Sequence, residues 1–333
     1  IWRGRHGPLL IAEIGGNHEG NFNYAKKLVK LAISTGVDVV KLQIYSGSGL
    51  VSRIESKKRF NHFRKFELSK EHHIEIAKMC RKANVTYLAS VWEENSLNWI
   101  DRYLKFYKIG SGDLTAYPIL SRLAKRDKPI ILSTGLSTLK EIKDTIKFLR
   151  QQNKKYKNEN YLALLQCTSS YPTNDNEVNL NVINTLQQST KLTVGYSHHN
   201  KGDLGLIAAY LMGAKILEFH FTDNRKGKTF RDHKISLNPQ ETKDLISKIK
   251  KINLMRGVNL KKPTQGEIKS KNIQSFRRAL YLNRDLKKGE VIKKEFVSCL
   301  RPNKGIDARK YKKLIGKKTK QSILAYEKIK LKI

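Results

Sequence analysis

The amino-acid sequence predicts a closed (β/α)8 barrel, the TIM-barrel fold, followed by a small, mostly β domain. Eight short apolar runs recur within the first 220 residues, and longer stretches with apolar residues at helical spacing follow them. The runs are continuously apolar, which is typical of parallel strands that are buried on both faces. They end in polar residues, as barrel strands do where they carry an active site. A doubly wound open sheet is the alternative.

The predicted strands are runs of four to six residues, bounded by Gly, Asn or Ser. In chain order they are residues 9–13, 39–43, 85–90, 106–109, 129–133, 161–166, 192–195 and 216–220. Apolar residues at helical spacing predict helices over residues 24–34, 73–83, 138–151, 204–212 and 241–251. Eight such units over about 250 residues match the usual size of this barrel.

The composition of the sequence changes after the last of these helices. Residues 1–255 form the predicted catalytic barrel, and the basic, polar segment 256–272 is the predicted linker. Residues 273–333 alternate short β-like runs with turns at Gly289 and Gly305. This module has about 60 residues, a size at which the buried core is small, so we expect it to pack against something else.

The charge of the chain is strongly positive, because 66 Lys and Arg against 29 Asp and Glu give a formal net charge of +37 at pH 7. Such a charge attracts polyanions, so a basic nucleic-acid-binding protein is the alternative from another functional class. Lysine and arginine are, however, spread along the chain, and no known nucleic-acid-binding motif is present. We therefore expect no nucleic-acid partner.

The cysteines and the apolar stretches bear on the cellular compartment. Cys80, Cys167 and Cys299 are widely spaced and odd in number, which predicts reduced thiols rather than a disulfide framework. No stretch approaches the roughly 18 consecutive apolar residues of a membrane helix, and the first residues contain no apolar signal-peptide core. We therefore expect a cytoplasmic protein without a membrane partner.

The first predicted strand ends in a carboxylate and leads into a glycine-containing polar loop. Glu13 is followed by Gly15, Gly16, Asn17 and His18. The backbone freedom of paired glycines suits the floor of a pocket more than a plain connection. A simple turn that ends in the N-cap of the next helix is the alternative.

Lysines lie near the ends of the second and fourth predicted strands. Lys41 and Gln43 lie on one face of the second strand because side chains alternate, and the fourth strand leads into Lys108-Ile109-Gly110-Ser111-Gly112-Asp113. A buried lysine requires an anionic partner, either a carboxylate of the protein or the phosphate or carboxylate of a ligand. Together with Ser133 on the fifth strand, these groups predict a cradle for phosphate and carboxylate.

The last three strands end in a thiol, hydroxyls and imidazoles. The sixth leads into Cys-Thr-Ser-Ser-Tyr-Pro; we expect the Cys167 thiol to be inert, since the sequence marks no activating base, and the hydroxyls and Tyr171 to bind substrate. The seventh leads into His198 and His199, of which only one can point inward, and the eighth ends in His220. Two imidazoles with open positions suit Mn²⁺, Zn²⁺ or another divalent ion.

Taken together, these strings resemble the sialic acid synthase family, whose members condense phosphoenolpyruvate with an N-acetylated amino sugar to make nonulosonic acids. The matching segments occur in family order along nearly the whole chain: residues 12–18, 41–43, 108–113, 167–172, 195–199, 218–222 and 232–237. The tail, at residues 277–281, 287–290 and 301–306, resembles the antifreeze-like (SAF) domain of the family. The chain departs from the family pattern where Phe219 precedes His220 and where Gly-Pro is missing before Asp232.

The resemblance implies roles for individual residues. It makes His199 and His220 the ligands of a divalent metal, with Mn²⁺ as the first choice and Mg²⁺ or Co²⁺ as alternatives. It implies a phosphoenolpyruvate site formed by Lys41, Lys108, Ser111, Ser133 and Ser197, with Ser169 where some members place an asparagine. It implies contacts to the sugar, or proton transfer, by Glu13, Gln43, Asp113, Tyr171 and Asp232.

The resemblance also implies an assembly and a reaction. We expect a domain-swapped homodimer in which Arg301 reaches the amino sugar in the partner barrel. The expected reaction joins phosphoenolpyruvate to N-acetylmannosamine or a related acetamido sugar and releases inorganic phosphate by C–O cleavage. The alternatives are a legionaminic or pseudaminic acid synthase that uses a 6-deoxy-diacetamido hexose, and a related barrel that uses a phosphorylated aldose. The SAF-like tail argues against the latter.

Overall fold

The computed structural model describes residues 1–330, apart from the side chain of Glu94. Its first eight strands form a closed, parallel barrel in chain order, so the predicted barrel is confirmed and the open sheet is wrong. The strands are β1 Leu9–Glu13, β2 Val39–Ile44, β3 Thr86–Val91, β4 Tyr107–Ile109, β5 Ile130–Ser133, β6 Leu162–Cys167, β7 Thr193–His198 and β8 Ile216–His220.

The largest difference from the predicted strands is in β7, which runs three residues beyond the predicted end at residue 195. Its last residues, Tyr196, Ser197 and His198, are polar or aromatic and suggested a loop. Their backbones nevertheless pair with β8, where Ser197 stands opposite Glu218. Pairing with a neighbouring strand therefore overrides the local pattern at this end of the barrel.

The register of the strands brings their polar ends to one level. Glu13 of β1 stands opposite Lys41 on one side and opposite His220 on the other. Ser90 of β3 stands between Gln43 and Lys108. Because paired residues of parallel strands share an orientation, these side chains meet at the carboxyl end of the barrel.

Helices alternate with the strands along the barrel. They are α1 Phe22–Thr35, α2 Gly47–Leu50, α3 Lys57–Phe66, α4 Lys70–Lys82, α5 Glu94–Ile100, α6 Tyr117–Lys125, α7 Leu139–Gln152, α8 Val182–Thr190, α9 Leu204–Leu211 and α10 Pro239–Arg256. All five predicted helices overlap observed ones. Asn21 caps α1, with its side chain accepting from the Tyr24 amide, so the loop after Glu13 ends in an N-cap, as the simple-turn alternative predicts.

Two apolar layers hold the barrel together. Residues on the outer face of β1, such as Leu10 and Ala12, pack with the helices, while Leu9 and Ile11 fill the interior. Trp2 joins the interior layer and packs edge-on against Phe106, with ring centroids 5.5 Å apart. The alternation that buries Leu9 and Ile11 inside also aims Glu13 inward, above a closed apolar plug.

The chain divides into two compact units, Ile1–Gly257 and Val258–Ile333. The second unit contains α11 Gln265–Lys269, α12 Asn272–Phe276, β9 Ala279–Leu282, β10 Val297–Leu300, β11 Ile306–Asp307 and α13 Tyr311–Leu314. Its strands form an antiparallel sheet in the order β10-β9-β11. The predicted linker, 256–272, includes α11, and the last three residues of the predicted domain 273–333 lie outside the described residues.

In the described part of the chain, no helix combines the length and the apolar character that crossing a membrane requires.

Candidate active site

Two buried lysines and two buried glutamates alternate across the floor of the site. The Lys41 ammonium lies 3.0 Å from Glu13 Oε2 and 3.3 Å from Glu218 Oε2. The Lys108 ammonium lies 3.5 Å from Glu218 Oε1 and donates to Ser133 Oγ at 2.7 Å. Each of the two buried lysines therefore has a carboxylate of the protein as an anionic partner.

The four charges are not equally satisfied. Burial opposes the charged form of Lys41, but Glu13 and Glu218 outweigh it and raise the pKa of that lysine. Burial also lowers the pKa of Lys108, and the nearby Glu218 offsets this only in part. Burial would raise the pKa of Glu218, yet the two lysines hold it at about 2. A bound anion would therefore stabilise the charged form of Lys108 more than that of Lys41.

Glu13 differs from Glu218 in its electrostatics. Burial raises the pKa of Glu13, and repulsion from Glu218 adds to this, while Lys41 only partly counteracts it. Its second oxygen, Oε1, accepts a hydrogen bond from Gln43 Nε2 at 2.8 Å. A carboxyl group whose pKa is raised is better suited to carry a proton than one that is held ionised.

Serine hydroxyls converge beside Lys108. The Gly135 amide donates to Ser111 Oγ at 3.1 Å. A Cβ at Gly135 would lie 2.5 Å from Ser169 Oγ and 2.7 Å from Ser111 Oγ, so only glycine allows this approach. Ser197 Oγ donates to Glu218 Oε1 at 2.9 Å. The structure therefore brings the predicted hydroxyls to the lysine side of the site.

The two predicted metal-binding imidazoles lie next to each other. The rings of His199 and His220 have centroids 5.4 Å apart. His199 Nδ1 lies 2.7 Å from the Thr168 carbonyl oxygen, so Nδ1 carries the proton and Nε2 keeps a lone pair for a ligand. His220 Nδ1 is buried and has no hydrogen-bond partner among the described residues. The carboxylate oxygen Oδ2 of Asp232 lies 3.7 Å from this nitrogen.

These two imidazoles suit a metal ion that the protein binds through two nitrogens and whose other coordination positions stay open to ligands. Within residues 1–330, no group of three or more His, Cys, Asp or Glu side chains is arranged to hold a metal ion. His198 points away from the pair, and its Nε2 lies 2.8 Å from the Gly202 carbonyl oxygen. Cys167 Sγ lies 3.7 Å from His199 Nδ1, the nitrogen that already serves Thr168.

Tyr171 and Asp232 border the imidazoles. The Tyr171 ring lies 4.2 Å from the His199 ring, and the Arg231 guanidinium lies 4.4 Å from the Tyr171 ring centre. Arg231 Nε also lies 3.1 Å from Asp232 Oδ1. Burial raises the pKa of Asp232, and Arg231 counteracts this. Arg231 thus contacts both predicted site residues.

Glu19 fixes the loop that carries Asp232. Glu19 Oε1 accepts hydrogen bonds from the Thr229 amide at 3.1 Å, the Thr229 hydroxyl at 3.0 Å and the Phe230 amide at 3.1 Å. The Phe230 ring covers Gly16, where a Cβ would lie 2.3 Å from a ring carbon. The loop after β1 therefore shapes the loop after β8, across the mouth of the barrel.

Comparison with known proteins decides the family. The NeuB family model matches residues 28–261, and the SAF domain model matches residues 277–329. The chain belongs to the NeuB family. The predicted membership in the sialic acid synthase family, with a C-terminal SAF domain, is thereby confirmed.

Relatives of this NeuB-family chain include synthases of several nonulosonic acids. It is 36% identical to the N,N'-diacetyllegionaminic acid synthase of Campylobacter jejuni, over 93% of this chain and 95% of that protein. It is 30% identical to the human N-acetylneuraminate-9-phosphate synthase, over 74% of this chain and 70% of that protein. A sialic acid synthetase from Leptospira borgpetersenii, solved with citrate, superposes with a TM-score of 0.71 at 27% identity, covering 80% of this chain and 91% of that one.

The NeuB-family chain contains site residues that the sequence did not single out. Ser90 is buried and level with Gln43 and Lys108; the register of strand ends was the signal that could have found it. Glu218 begins a segment that resembles the family, but the sequence does not indicate that it contacts both lysines. Glu19 acts through loop contacts that no sequence pattern reveals.

Two predicted site residues have no hydrogen bond or ion pair with the groups described above, within the described part of the chain. Asp113 follows β4 and is half-buried; burial raises its pKa, and Lys108 counteracts this. Arg301 belongs to the second unit, where its Nε donates to the Phe276 carbonyl oxygen at 2.7 Å. Its predicted contact with the sugar of a partner subunit stays a prediction.

Proposed function

We propose that this protein is a nonulosonic acid synthase that condenses phosphoenolpyruvate with an open-chain N-acetylated amino sugar and releases inorganic phosphate by C–O cleavage. One observation carries the proposal: a buried lysine that lacks full charge compensation, Lys108, lies with serine hydroxyls at the same barrel end as an imidazole pair. The first set suits a phosphorylated carboxylate, and the second suits a carbonyl or hydroxyl oxygen held by a metal.

Phosphoenolpyruvate binds on the lysine side in this proposal. Lys108 attracts the anion, and the hydroxyls of Ser111, Ser133 and Ser169 donate to its oxygens. Lys41 already faces two carboxylates, so its main task is to hold Glu13 and Glu218 in place while adding positive potential. Holding both ends of phosphoenolpyruvate orients its C3 toward the sugar.

His199 and His220 would hold a divalent metal, with Mn²⁺ proposed first and Mg²⁺ or Co²⁺ as alternatives. When bound, the metal supplies Lewis acidity to the aldehyde of the sugar. The Thr168 carbonyl oxygen keeps His199 in the tautomer that such binding needs.

The bonds change in a balanced sequence. C3 of phosphoenolpyruvate attacks the aldehyde carbon, a proton reaches the former aldehyde oxygen, and C2 becomes electron-deficient. Water adds to C2 and loses one proton to give a tetrahedral intermediate with a C2 hydroxyl. As the bond between C2 and the phosphate oxygen breaks, the hydroxyl proton passes to the leaving phosphate, and a ketone remains. Glu13, whose pKa is raised by burial, and Asp232 carry these protons between the reacting oxygens. Tyr171 and Gln43 orient the sugar beside them.

The acceptor is N-acetylmannosamine or a related acetamido sugar. A 6-deoxy-diacetamido hexose is the second candidate, supported by the relative that aligns over 93% of this chain, an N,N'-diacetyllegionaminic acid synthase. The N-acetylneuraminate-9-phosphate synthase aligns over 74%. A domain-swapped homodimer in the cytoplasm, with Arg301 reaching the partner's sugar, completes the proposal.

Phosphate release tests the proposal directly. Purified protein with Mn²⁺ and phosphoenolpyruvate is offered N-acetylmannosamine, its 6-phosphate or a diacetamido sugar in separate reactions. We expect phosphate release with at least one sugar and none without sugar, and a product mass equal to acceptor plus pyruvate. Phosphate release at the same rate with and without sugar would contradict the proposal. Salt-sensitive DNA binding without any phosphate release would favour the nucleic-acid alternative.

A further inference from the structure

Three aromatic side chains form a wall at the mouth of the barrel, which we call the aromatic wall: Tyr45, Phe63 and Trp92. Tyr45 follows β2, Trp92 follows β3, and Phe63 comes from α3. The Tyr45 and Trp92 rings stack, with centroids 5.3 Å apart and planes 22° apart. Phe63 meets both rings edge-on, at 5.2 Å and 6.3 Å. Stacking of this kind fixes the orientation of the Trp92 indole.

The indole nitrogen of Trp92 is buried and has no hydrogen-bond partner among the described residues. An indole N–H can only donate, so the group that satisfies it must be an acceptor. Leaving a buried donor unpaired is unfavourable, so a bound group that accepts from it is stabilised. Trp2 provides a contrast at the opposite end of the barrel, since its indole nitrogen donates to the Glu159 carbonyl oxygen at 3.1 Å.

The surroundings of the Trp92 nitrogen belong to the site. A Cβ at Gly110 would lie 3.7 Å from Trp92 Nε1 and 3.7 Å from Asp113 Oδ2, so this donor and this carboxylate flank one small space above β4. A side chain at Gly110 would enter that space. A group that both accepts and donates a hydrogen bond, such as a hydroxyl or a secondary amide, complements the pair.

The aromatic wall also borders the sugar end of the site. Burial raises the pKa of Tyr45, and the carboxylates of Glu67 and Asp232 raise it further, which places Tyr45 within the electrostatic reach of Asp232. From α3, His62 stacks on Phe230, two residues before Asp232, with centroids 6.0 Å apart. The wall and the Asp232 loop therefore lie side by side.

We infer that Trp92 is a specificity-determining residue that donates its indole N–H to an oxygen of the acceptor sugar, while Asp113 accepts from the same sugar group. The inference rests on the proposed synthase activity and adds to it the residue that reads the sugar rather than the phosphoenolpyruvate. The sugar group is a hydroxyl or the acetamido group. Both offer the acceptor and the donor that the site requires.

Trp92→Phe tests this inference, because phenylalanine keeps a six-membered ring to stack on Tyr45 and removes the N–H together with the five-membered ring of the indole. We expect the KM for the acceptor sugar to rise about 3- to 10-fold, the value of one hydrogen bond, with kcat and the KM for phosphoenolpyruvate unchanged. Trp2→Phe is the matched control, since it removes an indole N–H far from the site. A melting temperature close to that of the wild type shows that each variant folds.

The result also separates this inference from the proposed function. A wild-type enzyme that turns over the sugar, together with a Trp92→Phe variant of unchanged acceptor KM or raised phosphoenolpyruvate KM, overturns the inference alone. Absence of turnover by the wild type with every acetamido sugar overturns the proposed function and this inference with it. Competitive inhibition by mannose, which lacks the acetamido group, assigns the bond: a mannose inhibition constant weakened by the substitution indicates a hydroxyl, and an unchanged one indicates the acetamido group.

Discussion

In the lysine half of the site, formed by Glu13, Lys41, Lys108 and Glu218, every charged group faces an opposite charge on another strand of the barrel. In the imidazole half, formed by Tyr171, His199, His220 and Asp232, three members lie beyond the strands and only His220 belongs to one. His220 there keeps a nitrogen without a partner among residues 1–330.

The two halves differ in what holds their side chains in place. Strand residues are fixed by the register, so the lysine half is built with the fold and contributes to its stability. The imidazole half depends on loop contacts and on groups that bind to it. We therefore expect substitutions in the lysine half to change both stability and activity, and substitutions in the imidazole half to change activity with little effect on stability.

The largest expected effect is on turnover in the imidazole half. His199→Ala with His220→Ala removes both predicted metal ligands and is expected to lower turnover about 10³-fold, since a Lewis acid contributes several kcal/mol to such a step. Phosphate release at saturating Mn²⁺ measures it, and a chelator should lower wild-type activity to the same level.

His198→Asn is the control for the imidazole pair. Its imidazole is also buried but bonds to the Gly202 carbonyl oxygen on the other side of the strand. A loss of metal-dependent turnover in this variant as large as that of the double variant would contradict the ligand assignment.

The next effect tests the lysine half through stability. Lys41→Met leaves the buried carboxylates of Glu13 and Glu218 facing each other without their shared cation, which is expected to cost about 3 kcal/mol in the free energy of unfolding. Chemical denaturation at neutral pH measures this cost. Adding Glu13→Gln to Lys41→Met removes one of the two uncompensated carboxylates and should recover part of the lost stability. Equal stability of Lys41→Met and wild type would show that the lysine half does not stabilise the fold.

The same division explains what the sequence could and could not predict. Alternation along β1 and β2 was enough to place Glu13, Lys41 and Gln43 inside the barrel, because period-two alternation is local. Ser90 was missed because its register with Lys108 joins residues on different strands. Glu218 was missed as a partner of the lysines because the closure of the barrel brings β8 close to strand ends that are far from it in the chain. The imidazole pair at two strand ends predicted a metal site, while the choice of His199 over His198 and the role of Asp232 came from the family resemblance. The contacts of Glu19 and Trp92 depend on how loops pack, for which the sequence carries no periodic signal.

The smallest expected effect concerns the loop that completes the imidazole half. Glu19→Ala removes an oxygen that accepts three hydrogen bonds from Thr229 and Phe230, and so frees the segment that positions Asp232. We expect kcat to fall about 10-fold, with the KM for phosphoenolpyruvate unchanged, because an ångström-scale misplacement of a proton-transferring group costs roughly this much or more.

Glu19→Gln separates positioning from charge in this loop. Glutamine keeps a side-chain oxygen that can accept the same bonds, and both substitutions retain a Cβ at a residue whose φ is 53°, so backbone strain is the same in the two variants. If Glu19 acts by positioning Asp232, Glu19→Gln recovers most of the kcat that Glu19→Ala loses. If both variants lose activity equally, the charge of Glu19 matters instead, and the imidazole half would depend on electrostatics as the lysine half does.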